Sequence, residues 1–100
     1  MAQIEVPRAA VAEFCRKHGL AQLSLFGSVL GARFGPSSDL DVLIEFETGR
    51  EVGFLALAQM EAELSGILGG RRVDMRTPAD LSRHFREQVL REAETVFASG

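Results

Sequence analysis

The sequence predicts a small α/β fold of the α+β kind, a mixed sheet of about three strands with helices packed on it. Three observations lead there. Short segments at 22–26, 39–46 and 72–76 place apolar residues with the two-residue period of a strand, the stretches around them carry apolar residues at helical spacing, and glycine-containing turns mark the junctions. The chain has 100 residues, no internal repeat and no Pro/Gly/Ser-rich linker, so one domain over residues 1–100 is expected. A chain of this size buries roughly 65% of the surface its unfolded form exposes, enough for one core.

Taken in order, Pro7 can open a first helix because its fixed φ suits the first helical position, and Val11, Phe14, Cys15 and His18 then share one stripe before Gly19 stops it. Leu23 and Leu25 fall on one side of a short strand at 22–26, which runs into Gly27-Ser28, where the chain must turn. Residues 28–34 fit about two turns of helix with Ser28 at or near the N-cap, and Gly35-Pro36-Ser37-Ser38 reads as a turn. In the second strand, 39–46, the two-residue period puts Leu40, Val42, Ile44 and Phe46 on one face and Asp39 and Asp41 on the other. Leu57, Met60, Leu64, Ile67 and Leu68 then form the stripe of a crossover helix over 54–68, ended by Gly69-Gly70. A third strand at 72–76 is followed by Thr77-Pro78-Ala79-Asp80, a helix start, and the last helix is expected to run to about Ser99. Its core stripe of Leu81, Phe85, Val89, Ala93 and Val96 is widened by Leu90 and Phe97, more apolar surface than one docked face needs, which points to a protein partner.

A short connection between strands one and two favours an antiparallel pair, and a helical crossover between two and three favours a parallel, right-handed one. The end of strand one and the starts of strands two and three then share one sheet edge, where Gly27, Ser28, Asp39, Asp41 and Asp74 converge. Three carboxylates with no nearby His or Cys make a hard-oxygen site suited to Mg²⁺ or Mn²⁺. Two aspartates one residue apart on a strand can bridge two ions about 3.5–4 Å apart, the separation that clamps both oxygens of a phosphoryl displacement. Without cations the unpaired acids would repel one another. Gly27 lets the backbone approach a ligand closely, and the start of the following short helix offers N–H groups to a triphosphate.

The string Leu25-Phe26-Gly27-Ser28, followed by Ser38-Asp39-Leu40-Asp41-Val42-Leu43-Ile44, resembles the signature of the DNA polymerase β-like nucleotidyltransferase superfamily, and within it the minimal nucleotidyltransferase (MNT) branch. Val73-Asp74-Met75-Arg76-Thr77 and the terminal segment resemble that branch's third-carboxylate strand and C-terminal end, so the likeness covers nearly the whole chain. The resemblance implies metal-binding catalytic aspartates at Asp39 and Asp41, a third at Asp74, phosphate contacts from Gly27 and Ser28, and two Mg²⁺ ions, with Mn²⁺ able to replace them. It implies transfer of AMP from ATP, or of a monophosphate from another NTP, to a hydroxyl of a HEPN-type toxin, with this chain as the antitoxin of a hetero-oligomer. One position departs from the pattern: many members carry Arg three residues after the Ser, where this chain has Gly31, and Arg33 becomes the candidate contact to the triphosphate. A second reading keeps the fold and has the chain silence the toxin by direct binding, without chemistry.

Other readings are narrowed by composition. A net charge of −3 with no Trp and no Tyr argues against long nucleic acid as a partner. No apolar run approaches the roughly 18 residues of a membrane span, and the first residues lack the basic-then-apolar pattern of a signal peptide. Cys15 alone excludes an internal disulfide or a Cys-based zinc site, and a cytoplasmic setting is expected. Cys15 and His18 are expected in the core, His84 and Glu45 in solvent, and Arg71-Arg72 beside strand three, with contact to a triphosphate or partner as the alternative. A haloacid-dehalogenase-like phosphatase fits poorly, because the chain is short and the position of that motif's Thr is Leu43. Finally, with no Tyr in the chain, a tyrosine acceptor would have to be supplied by a partner, and few residues follow Asp74 to wall a second side of the cleft.

Overall fold

The computed structural model describes residues 4–31, 35, 38–50 and 52–99. The elements run α1 (Arg8–His18), β1 (Leu20–Phe26), a 3₁₀ turn (Gly27–Leu30), β2 (Leu40–Phe46), α2 (Phe54–Ile67), β3 (Val73–Arg76), a second 3₁₀ turn (Pro78–Asp80), α3 (Arg83–Glu92) and β4 (Glu94–Ala98). The sheet has the order β3-β2-β1-β4, with β1 antiparallel to both β2 and β4 and β3 parallel to β2. The antiparallel and parallel pairs expected from the connections are therefore both present.

Register separates two faces. Leu23 and Leu25 of β1 stand opposite Ile44 and Val42 of β2, and Leu40 and Val42 stand opposite Val73 and Met75 of β3. These residues are buried with Val11, Phe14 and Cys15 of α1 and Met60 and Leu64 of α2, so both helices cover one face of the sheet. The other face carries Ser24, Phe26, Asp41, Leu43, Asp74 and Arg76, because paired residues point the same way and the side-chain period is two. Pro7 sits just ahead of α1 as its N-cap, and Gly19 closes the helix in the left-handed conformation, its N–H returning to the carbonyls of Cys15 and Arg16.

The terminal segment departs from expectation. The last helix does not run from Thr77 to Ser99, and the sheet has four strands where about three were expected. Asp80 accepts the Thr77 N–H at 3.0 Å and its hydroxyl at 3.1 Å, which closes a single 3₁₀ turn, and Leu81 then becomes extended with ψ 141. Ser82 starts α3 afresh by accepting the His84 N–H at 3.3 Å. Ala93 is extended again, and Thr95 and Phe97, with Val96 at a register shift between them, pair along the edge of β1 that would otherwise leave its backbone groups without partners. Val96 and Phe97 reach the core from this strand, with the Arg16 guanidinium 5.7 Å from the Phe97 ring centroid. The expected helical stripe is consequently split: α3 buries no residue, and Phe85 is 61% exposed.

Two contacts hold β3 in place. The Leu40 N–H donates to the Arg72 carbonyl at 2.8 Å, extending the β2–β3 ladder, and the Met75 N–H donates to Glu61 Oε2 at 2.8 Å, so a side chain of α2 satisfies the edge strand. No helix among the described residues is long and apolar enough to cross a membrane.

Candidate active site

Asp41 is the second residue of β2, with Phe26 opposite it on β1 and Asp74 opposite it on β3. Neighbouring strands lie roughly 4.8 Å apart, so Asp41 and Asp74 are side-by-side neighbours on the face away from α1 and α2. Asp39 stands one residue ahead of β2 and is exposed at the same edge. The topology thus sets Asp41 beside Asp74 and against the turn that follows β1, with Asp39 exposed one residue ahead of β2.

At that turn Gly27 has φ 76, and a Cβ built on it would overlap Asp41 Oδ2 and lie 3.2 Å from Asp41 Cγ. Only glycine combines this left-handed conformation with so close an approach to a carboxylate. The turn is anchored from below by Val29, fully buried, and by Leu30 packed on the core. Ser28 is the second residue of this turn, which spans four residues where two helical turns over 28–34 were expected. Residues 32–34, and with them Arg33, lie outside the described residues, as do Pro36 and Ser37 of the expected turn.

The acids are not arranged as free ligands. Among the described residues no three His, Cys, Asp or Glu side chains are gathered closely enough to hold an ion. Asp74 is not the unpaired acid expected from the sequence, because its Oδ2 accepts Arg76 Nη2 at 3.1 Å and Nε at 3.3 Å. By donor chemistry the residues suit a divalent cation: the candidate donors are all carboxylates, and the register sets two of them, Asp41 and Asp74, side by side. Freeing Asp74 requires only that a solvent-exposed ion pair open, at a cost of about 0–1 kcal/mol.

Some participants escaped the sequence reading. Arg76 had a signal, since it alternates with Asp74 on β3 and must share its face, but Glu61 had none, being separated by a whole crossover from the Met75 N–H it accepts. A cavity of about 410 Å³ beside Gly27, lined by Phe26, Leu81, Phe85, Val89, Gln88 and Glu92, exists because α3 begins only after the break at Leu81. Elsewhere the expectations hold: Glu45 and His84 are exposed, and Arg71 flanks β3 with its Nη1 donating to the Gly35 carbonyl at 3.0 Å. Cys15 is fully buried, and desolvation pushes its thiol up to about 11. His18 lies at the margin of the core, its ring 4.7 Å from that of Phe14 and its Nε2 3.1 Å from Glu63 Oε1. Lys17, hydrogen-bonded to Glu63 at 2.8 Å, and His18 hold that carboxyl below the usual carboxylate range.

Comparison with known proteins agrees with the fold. A family model described as a nucleotidyltransferase domain matches residues 8–96. A candidate protein adenylyltransferase of Methanocaldococcus jannaschii is 34% identical over 80 residues, covering 80% of this chain and 83% of that protein. The structure of a candidate minimal nucleotidyltransferase is 43% identical with a TM-score of 0.69, covering 86% of this chain and 85% of that one. At 17% identity the fold is shared, with a TM-score of 0.65, by a chain in the structure of tri-AMPylated Shewanella oneidensis HEPN toxin in complex with MNT antitoxin, covering 92% of this chain and 70% of that one. Nucleotidyltransferases generally work with divalent metal ions. The reach of the family match, from α1 into β4, includes every acid and the glycine turn of the site, and the chain belongs to the nucleotidyltransferase domain family.

Proposed function

We propose that this chain transfers an adenylyl group from ATP to a hydroxyl of a partner protein, a HEPN-type toxin, and thereby acts as its antitoxin. The observation that carries the reading is the register that sets Asp41 between the Gly27 turn on one side and Asp74 on the other. In this reading Asp39, Asp41 and Asp74 hold two Mg²⁺ ions, for which Mn²⁺ can substitute, and Gly27, Ser28 and Arg33 contact the triphosphate. When bound, such ions supply charge neutralisation on the phosphates and favour the alkoxide form of the attacking hydroxyl. The hydroxyl oxygen bonds to the α-phosphorus, the bond to the β-phosphate oxygen breaks, pyrophosphate leaves and the hydroxyl proton passes to solvent.

The partner enters from two sides. The relatives are named for protein adenylylation and for a complex with an AMPylated HEPN toxin, and this chain contains no Tyr, so a tyrosine acceptor has to come from another chain. A hetero-oligomer acting in the cytoplasm is part of the same proposal. Silencing by contact alone is the second reading, and it draws on the engagement of Asp74 by Arg76 and on Gly31 at a position where the MNT pattern carries Arg. The two are separated by incubating the chain with Mg²⁺ and labelled ATP, alone and with a HEPN-type toxin protein, and following intact mass. Adenylyl transfer requires label on the partner only, lost in Asp74→Ala; a partner that binds tightly and stays unmodified selects the contact reading.

A further inference from the structure

We infer that Arg76 is the built-in counter-cation of the metal-free site: it holds Asp74 until a divalent cation displaces it, and the released guanidinium then serves the triphosphate. The inference rests on the reading of Asp74 as a metal-holding carboxylate. Asp74 and Arg76 lie two residues apart on β3 and share the face of Asp41, and both nitrogens of the fork that reach Asp74 use the same oxygen, Oδ2. Their side chains are 38% and 47% exposed, so the pair can open without disturbing the core. The strand itself stays fixed, because the Met75 N–H is held by Glu61 and the Leu40 N–H by the Arg72 carbonyl. What changes between the two states is therefore a side-chain rotation.

Charge decides the order of events. In the absence of metal, the guanidinium relieves the repulsion between neighbouring Asp41 and Asp74, and a surface pair of this kind shifts an equilibrium by at most a few-fold. A divalent ion beside the same carboxylates offers twice the charge in a smaller volume and displaces it. Arg76 cannot respond by losing its proton, since guanidinium stays charged at any physiological pH. Once released it is a cation at a metal-loaded edge, a position that becomes favourable when a polyanion arrives, and the phosphates of the nucleotide are that polyanion. Arg76 should thus oppose metal binding before the nucleotide is present and support nucleotide binding after the metal is.

The two effects have opposite signs, and that makes the inference testable. Mn²⁺ binding to the wild-type chain, Arg76→Gln and Arg76→Lys is measured by the paramagnetic resonance of the free ion, and then the affinity for a non-hydrolysable ATP analogue at saturating Mn²⁺ by calorimetry. Arg76→Gln should bind Mn²⁺ about 2- to 5-fold more tightly without nucleotide. The same variant should bind the analogue about 10-fold more weakly, and Arg76→Lys should recover part of that loss. Unchanged melting curves confirm that each variant folds, as expected for an exposed side chain. If both affinities fall together, or neither moves, the role assigned to Arg76 is wrong; if the wild-type chain takes up no Mn²⁺ with or without the analogue, the metal-holding reading of Asp74 fails first and takes the inference with it.

Discussion

At Gly27 the backbone turns with φ 76 directly against the Asp41 carboxylate, so this residue is tied to its neighbour by two independent constraints. Gly27→Ala strains the backbone and drives a methyl group into Asp41 Oδ2. We expect a loss of about 1–3 kcal/mol in stability, read from the urea midpoint, together with slower transfer, because Asp41 has to move away from the edge it shares with Asp74. The juxtaposition of Gly27, Asp41 and Asp74 was legible in the sequence, because an apolar strand ending in Gly-Ser, a two-residue alternation on the next strand and a helical crossover to the third leave few other arrangements. The Arg76–Asp74 pair was not. Two residues at that spacing share a strand face whether or not their side chains meet, and the free-acid cluster expected at the site ignored a cation that the sequence itself placed beside it.

The elements divide by how many structures their pattern permits. The stripe of Leu57, Met60, Leu64 and Ile67 fits a helix and no strand, and α2 follows it from Phe54 to Ile67. The segment after Asp80 fits both: Leu81, Phe85, Val89 and Ala93 keep helical spacing, while Thr95, Val96 and Phe97 have the branching and ring that a pleated edge accommodates. Local pattern could not decide between them, because what selects the strand is the open edge of β1, a feature of the tertiary fold. Phe97 is the side chain that secures β4, through its contact with the core and with Arg16. Phe97→Ala should therefore cost about 2 kcal/mol in thermal or urea unfolding, less than a fully buried phenylalanine, and should raise amide exchange along β4 while leaving the α2–β3 segment protected. Uniform loss of protection would mean that β4 is not a separable element.

For the molecule as a whole, topology does what no single motif can. The antiparallel β1–β2 connection and the parallel β2–β3 crossover bring Gly27, Asp41 and Asp74 to one edge from three separate strands, while α1 and α2 bury the opposite face and keep those strands in register. That arrangement was readable from connection lengths alone, whereas the cavity between the Gly27 turn and α3 depended on a helix break that only the folded chain reveals. Asp39 and Asp41 carry the proposed chemistry, and the most direct measurement is the rate of adenylyl transfer to a HEPN-type protein by a variant with both Asp39→Ala and Asp41→Ala, alongside its melting temperature. Loss of the carboxylates should lower the rate on the order of 10³-fold or more with the fold retained. Transfer at the wild-type rate by that double variant would contradict the assignment of the site.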